Sequence, residues 1–315
     1  MRLVLAPMEG VMDPLMRQLL SELNPYDLCV TEFVRVVDVL LPNKVFYRLS
    51  PELHNGGKTL SGTPVRVQLL GQEPKWLAAN AARAIELGSP GVDMNFGCPA
   101  KTVNRSKGGA VLLQEPERIY QILSAMRQAV PQDQVLSAKI RLGWDDPAHV
   151  TEIADAVVQA GADELAIHAR TKTDGYKAEA IKWDHIKPVV EKLDIPVIAN
   201  GEIFSHQDAL ACQQASGCTD LMVGRGSLRI PNLGHVVKHG KAPLSWAEMQ
   251  PILYRYTQME VRGDKEIYLP NRIKQWFGYL RKAYPEATEQ FEQLRTLRKS
   301  AEIVALFEHA ADHAA

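Results

Sequence analysis

The sequence predicts an α/β protein, a closed (β/α)8 barrel of the TIM type with an all-helical domain appended at the C-terminus. Three observations carry this expectation. Eight short apolar runs, at 3–7, 29–34, 65–70, 92–95, 135–141, 164–168, 196–200 and 220–223, alternate with longer stretches of helical period. The runs are close to continuously apolar, which implies burial on both faces and hence a parallel sheet. Eight such strand–helix units close on themselves. The alternation then stops near Leu228, and beyond Pro243-Leu244-Ser245-Trp246 only helical periodicity remains.

Met1-Arg2-Leu3-Val4-Leu5-Ala6-Pro7 is too short for the apolar region of a signal peptide and reads as the first strand. Residues 76–87, after the third strand, have an alanine-rich 3.6 periodicity. The stretch 116–129 opens with proline near its first turn, where a missing N–H costs nothing. The stretch 151–160 runs up to Gly161, a glycine placed to end a helix. Ser205 can cap the stretch 205–215. The tail reads as helices at 247–262, 270–283 and 286–296, then a last one up to Ala311. The expected division is a barrel over 1–243 and a helical domain over 244–315. An open doubly wound sheet is the alternative. It calls for a glycine-rich turn after the first strand, and Pro7-Met8-Glu9-Gly10 is not one.

The chain has 315 residues, 46% of them hydrophobic, enough for a full core and a second, smaller domain. Its formal charge of −1 gives no global attraction to nucleic acid or membranes, so any polyanion must be held by local patches. Cys29, Cys98, Cys212 and Cys218 have no regular spacing, which suits a reducing compartment better than a disulfide frame. No CxxC or Cys/His cluster suggests a metal, and no apolar run approaches membrane length. A soluble, cytoplasmic protein is expected, with a monomer as the simplest state.

In a barrel of this kind the site forms at the C-terminal ends of the strands. Those ends carry Pro7-Met8-Glu9, Gln68, Asn95 with Cys98, Lys139, His168, Asn200-Gly201-Glu202 and Gly224-Arg225-Gly226. Cys98 is followed by Pro99 and a loop bearing Lys101, Arg105 and Lys107. A thiol so placed suits proton chemistry on an anionic substrate; an inert buried cysteine under a solvated loop is the plain alternative. Lys139 lies within the run Ser137-Ala138-Lys139-Ile140 and must find an anion or an electron-rich partner, because an unpaired buried ammonium is costly. An internal salt bridge, a Schiff base and stabilisation of a reduced, anionic ring are all open to it. The glycines at 201, 224 and 226, with Arg225, suit close backbone approach to phosphate. They also suit ordinary turns. His168 and Gln68 serve equally as ring contacts or as satisfied core residues.

Taken together, Ala6-Pro7-Met8-Glu9-Gly10, Val67-Gln68-Leu69, Asp93-Met94-Asn95-Phe96-Gly97-Cys98-Pro99, Lys139-Ile140-Arg141-Leu142-Gly143, His168-Ala169-Arg170-Thr171, Ile198-Ala199-Asn200-Gly201-Glu202 and Val223-Gly224-Arg225-Gly226 resemble the tRNA-dihydrouridine synthases. Glu32-Phe33-Val34-Arg35 and Arg272-Ile273-Lys274-Gln275-Trp276 are similar to the bacterial C subfamily, which acts on uridine 16 of the tRNA D-loop. The resemblance implies FMN as cofactor, NADPH as reductant and tRNA as partner, with a hydride from reduced FMN and a proton from Cys98. It places Pro7, Met8, Glu9, Gln68, Lys139, His168, Asn200, Gly201, Glu202, Gly224 and Arg225 on the cofactor. It places Arg35, Asn95, Tyr176, Arg272, Lys274 and Tyr279 on the tRNA. The loop Asn104-Arg105-Ser106-Lys107-Gly108-Gly109 departs from the family in carrying cations where some relatives carry glycine.

The tail supports an RNA partner by composition. Between Arg262 and Lys299 there are nine Lys/Arg against five Asp/Glu, with Tyr268, Trp276, Tyr279 and Tyr284 interleaved. An ordinary amphipathic bundle with a charged face gives the same pattern. A flavin barrel acting on a small molecule, such as a dihydroorotate dehydrogenase, needs the same strand ends but no basic tail. A lysine-dependent aldolase needs Lys139 and no flavin. A non-catalytic tRNA-binding protein needs neither Cys98 nor Lys139.

Overall fold

The computed structural model describes residues 1–259 and 268–312. Its centre is a closed barrel of parallel strands in chain order. These are β1 (Leu3–Leu5), β2 (Leu28–Arg35), β3 (Val65–Leu70), β4 (Val92–Asn95), β5 (Leu136–Arg141), β6 (Glu164–His168), β7 (Val197–Asn200) and β8 (Asp220–Val223), with β8 pairing onto β1. The strands are those the apolar runs predict, with β2 one residue longer at each end than 29–34 and others trimmed where chemistry demands. Ala6 N still donates to Val223 O at 2.8 Å, but Pro7 and Pro196 have no N–H to offer. β1 therefore stops before the first proline, and β7 starts after the second.

Register brings distant residues level at one rim. Asn95 pairs with Lys139, Arg141 with His168, and His168 with Asn200. The interior behind this rim is of two kinds. Val4, Ala6, Leu28, Val30, Ala166, Ile198 and Met222 form their own buried apolar cluster. Arg66, Gln68, Asp93, Ser137 and Glu164 are also buried and linked by hydrogen bonds, and Lys139 is buried beside them. The strands are thus less uniformly apolar than expected. β5 alternates Ser137, Lys139 and Arg141 with Leu136, Ala138 and Ile140, a period of two. The polar half closes at the base, where Arg2 and Arg66 each reach one oxygen of Glu164, at 2.5 and 2.7 Å.

Around the barrel, Pro74–Glu86, Pro116–Ala129 and Val150–Gln159 pack side by side and bury Leu77, Ile122, Met126 and Ile153. Gly161 has φ +87° and ends the last of these as predicted. Ser205 Oγ accepts Asp208 N at 3.0 Å, the cap read from the sequence. Periodicity did not single out Pro14–Leu23, although Asp13 Oδ1 accepts Met16 N at 2.9 Å and Pro14 fills the first turn. Asn43–Leu49, Lys101–Arg105, Lys187–Lys192, Arg225–Arg229 and Leu233–His239 have at most two turns, too few to show a period.

The tail holds the helices Trp246–Gln258, Leu269–Leu280, Pro285–Leu294 and Ser300–Asp312. Ser245 and Glu248 form a reciprocal capping box at the first. The predicted helix end at 260–262 lies outside the described residues, as does Lys265 of the basic stretch. Trp246, Tyr256, Trp276 and Phe277 form edge-on aromatic contacts. Trp276 is 1% exposed, and its Nε1 donates to Leu228 O at 3.1 Å, fastening the tail to the helix after β8.

Candidate active site at the barrel mouth

A cavity of about 990 Å³ opens at the C-terminal ends of the strands. Every cofactor position read from the sequence lines it: Pro7, Met8, Glu9, Gln68, Lys139, His168, Asn200, Gly201, Glu202, Gly224 and Arg225. Cys98, Asn95, Tyr176 and Tyr279 line it too. Arg35, Arg272 and Lys274 do not. Arg35 donates to Ser106 Oγ at 2.5 Å on the surface. Arg272 pairs with Asp13 at 3.1 Å, and Lys274 donates to the carbonyls of Arg295 and Leu297.

Cys98 is held by its backbone. Asn95 Oδ1 accepts the N–H groups of Gly97 and Cys98 at 2.9 and 3.0 Å. Cys98 O accepts Ala110 N at 3.0 Å and Asn104 Nδ2 at 3.2 Å. Gly109 makes this approach possible. It has φ +65°, and a Cβ there would stand 2.9 Å from Cys98 O. Burial pushes the thiol pKa up and Glu9 adds to this, while Arg141 and Arg35 pull the other way. The thiol therefore stays protonated at neutral pH, as a proton donor must.

Lys139 Nζ donates to Asn200 Oδ1 at 2.9 Å, and Asn200 Nδ2 is itself fixed on Met222 O at 2.8 Å. Burial, with Arg141 adding to it, lowers the ammonium to about 8 against the pull of Asp93. His168 is pushed well below its ordinary value by burial and by the cations Arg141, Lys139, Arg170 and Arg225, so it is neutral. Arg170 Nη1 lies 3.4 Å from His168 Nε2. An arginine can only donate, which assigns the ring hydrogen to Nδ1.

The turns after β7 and β8 form a shelf. Gly201 has φ +124°, and a Cβ there would stand 2.8 Å from Ile181 Cδ1 and 3.0 Å from His168 Cδ2. A Cβ on Gly226 would stand 2.4 Å from Ile203 O. Glu202, with φ +53°, pairs with Arg170 at 3.0 Å and with Arg225. The glycines let these turns pack closely on their neighbours, and Gly201, Gly224 and Gly226 line the cavity beside the Arg225 guanidinium, a setting that suits a phosphate. The Gln68 amide and the Lys139 ammonium line the same cavity for a planar ring with several acceptors. The residues fit a phosphate-bearing ring cofactor in size and in donor set. Among the described residues, no group of three His, Cys, Asp or Glu side chains could hold a metal ion, and no helix is long and apolar enough to cross a membrane.

A family model described as dihydrouridine synthase matches residues 4–315. The chain belongs to the dihydrouridine synthase family. It is 62% identical to the tRNA-dihydrouridine(16) synthase of Vibrio cholerae serotype O1, over 96% of this chain and 94% of that one. With the protein of the same name from Shewanella oneidensis it shares 59% identity, over 99% of both chains. Among solved structures, morphinone reductase in complex with tetrahydroNAD superposes with a TM-score of 0.54. That match covers 78% of this chain and 88% of the other at 12% identity, and the likeness is one of fold.

Several cavity-lining residues of this dihydrouridine synthase, Arg141 and Lys172 among them, are absent from the sequence candidates. Arg141 lines the cavity, and its Nε donates to Gly97 O at 2.8 Å. Its Nη1 donates to Thr171 O and Gly175 O at 3.1 and 3.2 Å, tying the loop after β6 to the Cys98 turn. The Tyr176 ring lies 5.3 Å from the Arg141 guanidinium and 5.2 Å from that of Arg225. The signal was the two-residue step from Lys139, which puts both on one face of β5. Gly278, Tyr279 and Lys282 complete the wall from the tail.

The lowered Lys139 predicts a pH dependence of stability. An unfolded lysine titrates near 10.4, the folded one at about 8. Between these values the unfolded chain holds the extra proton, so stability rises with pH, by on the order of 3 kcal/mol across the window. Below about 8 both states are charged and the desolvation cost is complete. Urea midpoints should therefore rise more for the wild type than for Lys139→Met between about pH 7.5 and pH 10. Parallel midpoints would show that the ammonium is not desolvated.

Proposed function

We propose that the chain reduces the 5,6 double bond of uridine 16 in the tRNA D-loop, with FMN as cofactor and NADPH as reductant. The observation that carries this reading is a protonated thiol, Cys98, fixed in a cavity that also presents an amide, an ammonium and a glycine shelf with an arginine. The tRNA-dihydrouridine(16) synthases to which the chain is similar support the choice of substrate and position.

Reduced FMN supplies a hydride for C6 of the uracil. The chain's own residues do the rest. Gly201, Gly224 and Arg225 hold the phosphate end, and Gln68 fixes the ring edge. Lys139 offers a positive charge to an anionic ring below about pH 8. Cys98 gives its proton to C5 as charge develops there. The base must leave its stack to reach the mouth, at a cost of a few kcal/mol that is smallest in a loop. Tyr176 and Tyr279 at the rim suit stacking against extruded bases, and Lys101, Lys172 and Lys282 suit phosphates. In this reading the barrel, 1–243, carries the chemistry and 244–315 grips the tRNA, in a cytoplasmic monomer.

The test is to incubate the purified protein with unmodified tRNA and NADPH and map dihydrouridine by mass spectrometry. Product at position 16, coupled to NADPH oxidation, supports the reading; tRNA recovered without dihydrouridine although NADPH reduces the flavin overturns it. The logarithm of tRNA affinity should also fall linearly with log salt. Lys101→Ala and Lys282→Ala should each lessen that slope by about one. Slopes unchanged in both would move the phosphate contacts elsewhere.

A further inference from the structure

We propose that Asp93, a buried residue of β4 that does not line the cavity, is a positioning residue that fixes Cys98 through a polarised chain of two amides. The chain is continuous. Gln68 Nε2 donates to Asp93 Oδ2 at 2.6 Å, Asn95 Nδ2 donates to Gln68 Oε1 at 2.7 Å, and Asn95 Oδ1 accepts the Gly97 and Cys98 N–H groups. Its direction is set at both ends. Two backbone N–H groups can only donate, so the oxygen of Asn95 must face them and its NH₂ must face Gln68. The NH₂ of Gln68 is then turned away from Asn95 and needs an acceptor. The carboxylate at 93 is that acceptor.

Asp93 is itself immobile. Its Oδ1 accepts Ser137 Oγ at 2.6 Å, and Ser137 Oγ accepts Arg66 Nη1 at 3.0 Å. Arg66 is held in turn by Glu164 at 2.7 Å. The polar half of the barrel is thus a spine from its base to the Cys98 turn, and Asp93 is its middle link. Without an acceptor at 93, a buried donor on Gln68 is stranded. The amide of Gln68 then turns, Asn95 loses its partner, and the turn that keeps Cys98 half-buried loosens.

The readout is alkylation of Cys98 by iodoacetamide against pH, with the labelled residues counted by mass spectrometry. Cys29, Cys212 and Cys218 are buried in the folded chain, so one label marks a folded protein and four mark an unfolded one. Asp93→Leu is expected to take one label, with its labelling midpoint about one pH unit lower and the rate at neutral pH about fivefold higher or more, since a loosened thiol is better solvated. Asp93→Asn keeps a carbonyl for Gln68 and is expected to restore the wild-type profile. A folded Asp93→Leu with the wild-type profile overturns the proposal. If Asp93→Leu takes four labels, Gln68→Leu decides instead. It cuts the chain one link nearer the thiol and must shift the profile the same way; an unshifted profile overturns the proposal. Dihydrouridine formation by Asp93→Leu should fall about tenfold, and by more than flavin reduction by NADPH, which the turned Gln68 also touches. That arm alone rests on the proposed function. The labelling needs no tRNA, so a failure of the relay and a failure of the uridine reading are told apart.

Discussion

Replacing Cys98 with alanine is expected to lower dihydrouridine formation by about 10² to 10⁴, the usual contribution of a positioned acid. Flavin reduction by NADPH should remain within about twofold of wild type, because no step of it needs the thiol. The two halves separate cleanly in single turnover: reduce the enzyme with NADPH, mix with tRNA, and follow both flavin reoxidation and product. The expected result is a reduced enzyme that stays reduced in the presence of tRNA. The geometry makes the effect large. The thiol is held by three backbone contacts in the turn after β4 and kept protonated by burial. No other thiol can substitute, because Cys29, Cys212 and Cys218 are all buried away from the cavity. Serine at 98 should fall between the two, its hydroxyl being a far weaker acid. Wild-type turnover by the alanine variant would assign the proton to another group.

Gly201→Val is expected to yield a protein that binds flavin at least tenfold more weakly, seen as loss of visible absorbance on purification. Two effects combine. At φ +124° a β-branched residue is strained by about 1–3 kcal/mol. Its Cβ would also stand 2.8 Å from Ile181 Cδ1 and 3.0 Å from His168 Cδ2, and would displace the His168 ring that lines the cavity. Gly240→Ala separates strain from blocking. Gly240 has φ +62° at the end of Leu233–His239, lies outside the cavity, and would meet only ordinary contacts. That variant should melt lower yet keep its colour. A Gly201→Val protein as yellow as wild type would remove the shelf from the cofactor site.

The barrel was legible in the sequence because burial on both faces forces apolar runs, and eight of them leave few architectures. The catalytic end was legible for a related reason. Parallel strands deliver all their C-terminal ends to one rim, so Gln68, Asn95, Lys139, His168 and Asn200 could be gathered without knowing a single distance. What could not be read is what depends on partners across the barrel. Ser137, Asp93 and Arg66 look like blemishes in apolar runs until register sets them against one another. Lys274 and Arg272 form part of a basic stretch in the sequence, yet one holds two carbonyls at a helix end and the other pairs with Asp13. The short helices fell below the length at which periodicity is visible, and Arg225–Arg229 is one of them.

That last helix joins two jobs. It begins with Arg225, at the shelf, and Leu228 near its end receives the indole N–H of Trp276 from the tail. One five-residue helix therefore joins the wall of the cavity to the tail. A chimera that exchanges tails between relatives would have to carry both sides of that joint, and strain placed on the tail would be felt first at the cavity wall.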